Sequence, residues 1–185
     1  EYSAVVTRAD KRGISVHIVR ENVSDREPKT RVFLLIGALK GDKTELVVQK
    51  ATELGVSRIG VFSSRYCSAY MNENKLERLN RVAREAAKQC LRASVPRVEY
   101  YETLEDALQA GTECVTRLFA CEFISETEKD LTDPGATVAA VVGSEGGFAE
   151  EEYALAQRLG YCGVSLGKRI LRAETAAVAF TAVTM

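Results

Sequence analysis

Two short segments near the carboxyl end combine glycines with charged side chains. They are Gly143-Ser144-Glu145-Gly146-Gly147-Phe148 and Leu166-Gly167-Lys168-Arg169-Ile170-Leu171-Arg172-Ala173-Glu174-Thr175-Ala176. Glycines 143, 146 and 147 permit positive φ and let a ligand approach the main chain closely. Each segment follows an apolar run and precedes a helical pattern, so each offers the unpaired N–H groups of a helix start. Two such loops side by side form a pocket made mostly of backbone, suited to a nucleotide-like cofactor. Lys168, Arg169, Arg172 and Glu174 set cations and a carboxylate at its mouth, which acid–base chemistry on a polar substrate requires. The plainer alternative is a strand-to-helix turn followed by a salt-bridged helix entrance. Neither GxGxxG nor the GK[ST] of a phosphate loop is present. Glu150, Glu151 and Glu152 would repel a phosphate while stabilising a helix start.

A third feature is the recurrence of Arg81, Arg84, Lys88 and Arg92 at spacings of three and four. On a helix these form a basic stripe, diluted by Glu77 and Glu85. Such a stripe is either a solvated face or a surface that tracks phosphates. The single histidine, His17, lies in an alternating run far from the glycine loops, so histidine-based triads are excluded. The five cysteines are scattered, with no CxxC pair, which argues against zinc and against a disulfide framework. A reducing cytoplasm follows.

These residues must be positioned by a core, and the chain has one to offer. It has 185 residues, 46% of them hydrophobic, enough for one full domain with a small appendage. The net charge of −1 makes any nucleic-acid binding a matter of local patches. No apolar stretch is long enough to span a membrane, and no signal peptide opens the chain. The chain starts at Glu1 and stops at Met185 within an apolar helical pattern, so both ends read as cut.

Residues 2–20 alternate as a small β-unit turning at Lys11-Arg12-Gly13, and residues 21–30 read as a linker. From residue 31 strands and helices alternate. Arg31–Leu39, Val56–Phe62, Val98–Tyr101, Val115–Cys121, Thr137–Val142 and Cys162–Leu166 read as strands. A helix capped by Asp42, with Glu45 completing a capping box, runs to Leu54 and ends at Gly55. Residues 73–92 form the longest helix, Thr103–Ala110 a short one and Glu150–Leu159 another, with a last helix after the second loop. The pattern predicts an α/β fold, a mainly parallel sheet with helices on both faces.

Taken together, these segments resemble the RsmE family, rRNA uridine-N3 methyltransferases of the knotted SPOUT superfamily. Four segments spread over residues 31–185 carry the resemblance. The first is Lys40-Gly41-Asp42-Lys43 leading into Gln49-Lys50-Ala51-Thr52-Glu53-Leu54-Gly55-Val56. The second is Glu85-Ala86-Ala87-Lys88-Gln89 with Arg92 and Val95-Pro96. The two glycine loops complete the set, and LGKRILRAETA is the most specific. The chain departs from the family at Ser144, where proline is usual, and at Cys90-Leu91-Arg92, where Ser-Gly-Arg is common.

The resemblance implies S-adenosyl-L-methionine as methyl donor and a C-terminal deep trefoil knot. It implies that residues 1–27 end a PUA-like β-barrel and that 28–185 form the SPOUT domain, its C-terminus truncated. A homodimer is implied, acting on small-subunit ribosomal RNA or the assembled subunit, with no metal. Carried onto this chain, the cofactor site comprises Gly143, Ser144, Glu145, Gly146, Gly147, Leu166, Gly167, Leu171, Arg172, Thr175 and Ala176, walled by Phe119, Ala120, Cys121 and Glu122. Glu174 or Glu145 would accept the N3 proton, and Arg172 would steady charge on the neighbouring carbonyl oxygens. Arg81, Arg84, Lys88, Arg92, Lys168 and Arg169 would hold RNA phosphates. The alternatives are a knotted enzyme acting on ribose 2′-OH or on tRNA, and a non-catalytic RNA-binding or ribosome-assembly protein. An unrelated α/β nucleotide enzyme is opposed by the missing phosphate-loop lysine and triad histidine.

Overall fold

The opening alternation forms an antiparallel hairpin, β1 (Tyr2–Asp10) with β2 (Gly13–Glu21), turning at Lys11-Arg12. Register shifts between Ser3 and Ala4 and between Val6 and Arg8 mark irregularities in β1. Every hairpin residue is exposed, including Tyr2, Val5, Val6, Ile14, Val16, Ile18 and Val19. The computed structural model describes residues 2–23, 25–124 and 135–185. Glu1, expected to mark a cut end, and Ser24 of the expected linker lie outside them.

The run Val32-Phe33-Leu34-Leu35-Ile36 has no polar position for a wet face, so it becomes the centre of the sheet. Strand β3 (Arg31–Gly37) is followed by α1 (Lys43–Leu54), β4 (Arg58–Phe62), α2 (Glu73–Gln89), β5 (Arg97–Tyr101), α3 (Leu104–Gly111) and β6 (Thr116–Ala120). Then come β7 (Thr137–Val142), α4 (Glu150–Arg158), β8 (Cys162–Val164) and α5 (Ala173–Val183). The six strands β3 to β8 lie in the order β5-β4-β3-β7-β6-β8, every pairing parallel. Period-two alternation sends Val32, Leu34 and Ile36 to one face, with Val47 and Val48 of α1, Leu79 of α2 and Phe180 of α5. Phe33 and Leu35 go to the other, with Leu104 and Leu108 of α3, Ala156 of α4, Phe148 and Tyr161. Burying one such side chain contributes roughly 1.5–3 kcal/mol. The expected α/β fold with helices on both faces of a parallel sheet is therefore present. Among the described residues no helix is long and apolar enough to cross a membrane.

Two local expectations change. Asp42 makes no side-chain cap on α1. Thr44, 5% exposed, orders that turn instead, accepting from Leu39 N–H at 3.0 Å, while Glu45 pairs with Arg78 at 2.9 Å. Helix α2 stops at Gln89 rather than at residue 92, because Leu91 takes a left-handed φ of 60°. Gly55 does end α1 in the left-handed conformation, φ 107°.

The chain runs outward from β3 to β4 and β5, then crosses to β6 on the far side, with β7 inserted next to β3. Strand order thus reverses between β3 and β7, and the carboxyl ends flanking such a reversal form the crevice where α/β folds bind ligands.

Candidate active site

The first glycine loop leaves β7 at that reversal. Ile36 of β3 and Ala120 of β6 are both in register with Val142, and Ala120 is also in register with Val164 of β8. Gly37, Gly143, Cys121 and Ser165 therefore leave four adjacent strands together. Ser144 and Gly147 close a tight turn, with Gly147 N–H donating to Ser144 C=O at 3.0 Å. Gly147 sits at φ 65° with the Glu122 carboxylate against it, so that turn demands glycine. A Cβ on Gly146 would lie 2.6 Å from Tyr66 Cβ. A Cβ on Gly37 would lie 2.5 Å from Ser144 N.

Glu145 is exposed but tethered. Its Oε1 accepts from Lys40 N–H and from Lys43 Nζ, both at 3.1 Å. Burial pushes its carboxyl up, but the Lys40 N–H, its own N–H and the Lys43 ammonium outweigh that and hold it below the ordinary carboxylate range. A carboxylate so held is a weak proton acceptor. On the far side of the loop, Glu152 Oε2 accepts from Ala149 N–H at 2.8 Å and its Oε1 from Arg65 N–H at 2.9 Å. The acids after the loop thus stabilise the start of α4 and also fasten the segment after β4.

The second loop leaves β8 and enters α5 through Arg172, the extended N-cap residue. Gly167 takes φ 98°, and Gly167, Lys168, Arg169, Ile170 and Arg172 are exposed. Leu166 and Ala176 pack on the cluster that contains Ala120, Val142, Val164 and Ala173, which brings this loop to the same strand ends. Leu171 is half-buried and Thr175 exposed. Two buried oxygens on these loops, Ser144 Oγ and Glu174 Oε2, have no hydrogen-bond partner among the described residues.

Other expected site residues fall elsewhere. Phe119 is fully buried, its ring 4.2 Å from that of Phe148, so its side chain supports the first loop from beneath. Cys121 is half-buried and Glu122 exposed at the end of β6. Arg81 and Arg84 are exposed and line an open groove of about 450 Å³ along α2, while Lys88 is exposed and paired with Glu85 at 2.8 Å. Arg92 corrects the expectation of a fourth phosphate contact. Its side chain is 4% exposed, bound to Glu27 at 2.6 Å and donating to the Thr52 and Val56 carbonyls, both at 2.9 Å. Sequence reasoning missed Gly37, whose only signal is a glycine closing a buried run, and Lys43 as the partner of Glu145.

A parallel sheet whose glycine loops meet at a strand-order reversal, rimmed by cations and carboxylates, defines a cofactor-using α/β enzyme. The RNA methyltransferase domain family matches residues 26–185. The ribosomal RNA small subunit methyltransferase E of Mesomycoplasma hyopneumoniae is 32% identical over 164 residues, covering 87% of this chain and 72% of that protein. Among solved structures, a Legionella pneumophila protein in complex with the cofactor S-adenosylmethionine superposes with a TM-score of 0.85 at 28% identity, covering 99% of this chain and 77% of that one. The Neisseria gonorrhoeae ribosomal RNA small subunit methyltransferase E, bound to S-adenosylmethionine, gives 0.84 at 29% identity, covering 98% and 76%. This chain belongs to the RNA methyltransferase family, on its ribosomal RNA small subunit methyltransferase E branch.

Proposed function

We propose that this protein transfers a methyl group from S-adenosyl-L-methionine to N3 of a uridine in 16S, small-subunit ribosomal RNA. The observation that carries this reading is the meeting of both glycine loops and the end of β6 at one set of strand ends, with two buried oxygens unpaired among the described residues. A buried polar atom without a partner costs about 1–3 kcal/mol, which a cofactor donating to Ser144 Oγ and the uridine N3–H donating to Glu174 Oε2 would recover. The main chain of Gly143–Gly147, Leu166–Gly167 and Leu171–Ala176 would hold adenine and ribose, with residues 120–122 as a further wall. When bound, the cofactor supplies a methyl group already activated on a sulfonium, so the protein's task is orientation.

Uridine N3 carries a proton that must leave before the nitrogen can attack. Glu174 suits that step better than Glu145, because Glu174 Oε2 has no hydrogen-bond partner among the described residues, while the Lys40 N–H and Lys43 hold Glu145 as a weak acceptor. Arg172, exposed at the head of α5, steadies negative charge on the carbonyls beside N3. N3 lies on the pairing edge, so the target base enters unpaired or flipped. Arg81, Arg84, Lys88, Lys168 and Arg169 contact phosphates.

The same reading includes a C-terminal trefoil knot of the SPOUT type. It is supported by α5 packing on α1, β7 and β3 although β8, which precedes it, is an edge strand. It also includes a cytoplasmic homodimer, a domain over residues 28–185, and residues 1–27 as the end of a PUA-like barrel. The exposed apolar hairpin supports the last point, since a lone hairpin is marginal in water.

The test is transfer from labelled cofactor to small ribosomal subunits lacking the modification, followed by nucleoside identification. The expected product is 3-methyluridine; label on ribose would refute the assignment. Arg172→Ala and Glu174→Gln should each lower kcat about 10²-fold or more. Full activity in Arg172→Ala with RNA binding unchanged would remove Arg172 from the mechanism.

A further inference from the structure

The segment after β4, residues 63–72, carries two tyrosines that the reaction outlined above does not use. Tyr66 is 48% exposed and Tyr70 is 73% exposed. Each ring has a cation near its face, Arg65 at 5.8 Å from the Tyr66 centroid and Lys75 Nζ at 6.0 Å from that of Tyr70. These distances lie at the outer limit of cation–π attraction, so neither ring is consumed by its neighbour.

The frame beneath the rings is fastened. Arg65 N–H donates to Glu152 at 2.9 Å, Cys67 Sγ donates to Ala38 C=O at 3.1 Å, and Met71 is 7% exposed. Tyr66 Cβ and its carbonyl rest on Gly146, in the turn of the first glycine loop. An aromatic face held against the cofactor loop matches the stacking surface that single-stranded RNA requires for a base, with Lys75 as the charge for a phosphate, since the Arg65 guanidinium already pairs with Glu151 at 3.4 Å.

We propose that Tyr66 and Tyr70, with Lys75 beside them, form a stacking platform for unpaired RNA bases flanking the target nucleotide. The inference rests on the RNA methyl-transfer reading and adds a specificity surface to it. Truncation is a clean probe at Tyr66, because its contact with Gly146 is made by Cβ and main chain, which alanine keeps.

The experiment compares Tyr66→Ala, Tyr70→Ala and the double variant with Tyr66→Phe and Tyr70→Phe. Stacking is worth about 1–3 kcal/mol per base, so each alanine should raise KM for small ribosomal subunits about 5- to 150-fold. The kcat should hold, and calorimetric affinity for S-adenosylmethionine should be unchanged. Phenylalanine, which keeps the ring, should restore KM to within about twofold. Fluorescence anisotropy of a labelled single-stranded oligouridine should follow the same order. An unchanged KM in the alanine variants, failure of phenylalanine to rescue, or an altered oligomeric state on sedimentation would overturn the platform. The last result would mark an interface between copies of the chain. If the wild-type chain methylated no RNA, the enzymatic reading would fall, while the oligouridine titration would still decide the platform.

Discussion

Gly37 has no room for a methyl group, and the atoms in its way are main chain. A Cβ there would meet Ser144 N at 2.5 Å and Ser144 Cα at 3.1 Å. Neither can retreat without moving the turn that Ser144 and Gly147 close. Gly37→Ala should therefore cost about 1–3 kcal/mol of stability, as overpacking does, and also weaken cofactor affinity. Thermal unfolding and calorimetry would check both; an alanine variant with native affinity would mean that the loop is not set by this contact. Gly143, Gly146 and Gly147 were legible because GSEGGF announces a turn, and the structure gives two of them separate reasons, a close Tyr66 and a left-handed φ. Gly37 was not, since its neighbour Ser144 belongs to a different strand end. Glu145 was legible as a charged residue of the loop but not as one held by Lys43, because no local pattern says which distant cation a carboxylate will meet.

At the scale of elements, the instructive case is the end of α2. Spacings of three and four extend a basic stripe to Arg92 only if the helix continues, and it stops at Gln89. With Leu91 at φ 60°, Arg92 turns inward and joins three pieces of chain: the end of α2, the end of α1 through Thr52 and Val56, and the linker through Glu27. Glu27 also accepts from Ser94 N–H at 3.2 Å, and Pro28 packs on Gly55. Glu27→Gln should cost on the order of 2–3 kcal/mol, somewhat under the ~3–5 of a fully buried pair, because Glu27 stays 30% exposed. Arg92→Lys should lose at least as much, since one ammonium cannot span two carbonyls and a carboxylate as the guanidinium fork does. Urea unfolding would measure both, and an Arg92→Lys variant as stable as wild type would discard the clamp. The alternation of strands and helices from residue 31 was readable from period and turn residues alone. The strand order was not, because burial on both faces makes β3, β4, β6 and β7 look alike whichever neighbours they take.

For the molecule as a whole, two carboxylates tie segments that the chain keeps apart. Glu145 joins the loop after β3 to the first glycine loop, and Glu27 joins the linker to the ends of α1 and α2. Burial pushes both carboxyls up as the largest single cause, and hydrogen bonds and charge attraction together bring both below the ordinary carboxylate range: from Lys40, the Glu145 N–H and Lys43 for one, from Arg92, Ser94 and Ala93 for the other. A group whose folded pKa lies below its unfolded value binds fewer protons when folded, so lowering the pH favours unfolding. Its contribution is fully present above the unfolded carboxylate pKa of ~4.3 and fades as the pH falls through the folded value. The two pairs should therefore add stability evenly between pH 5.5 and 7, and lose it in the acid range below. Stability from urea midpoints across pH 3 to 7 should fall less steeply below about pH 4.3 in the Glu27→Gln, Glu145→Gln double variant than in wild type. Its deficit at pH 7 should shrink as the pH drops, because protonation removes from the wild type what substitution removed from the variant. Parallel acid limbs would show that the two tethers do not carry the molecule's acid sensitivity.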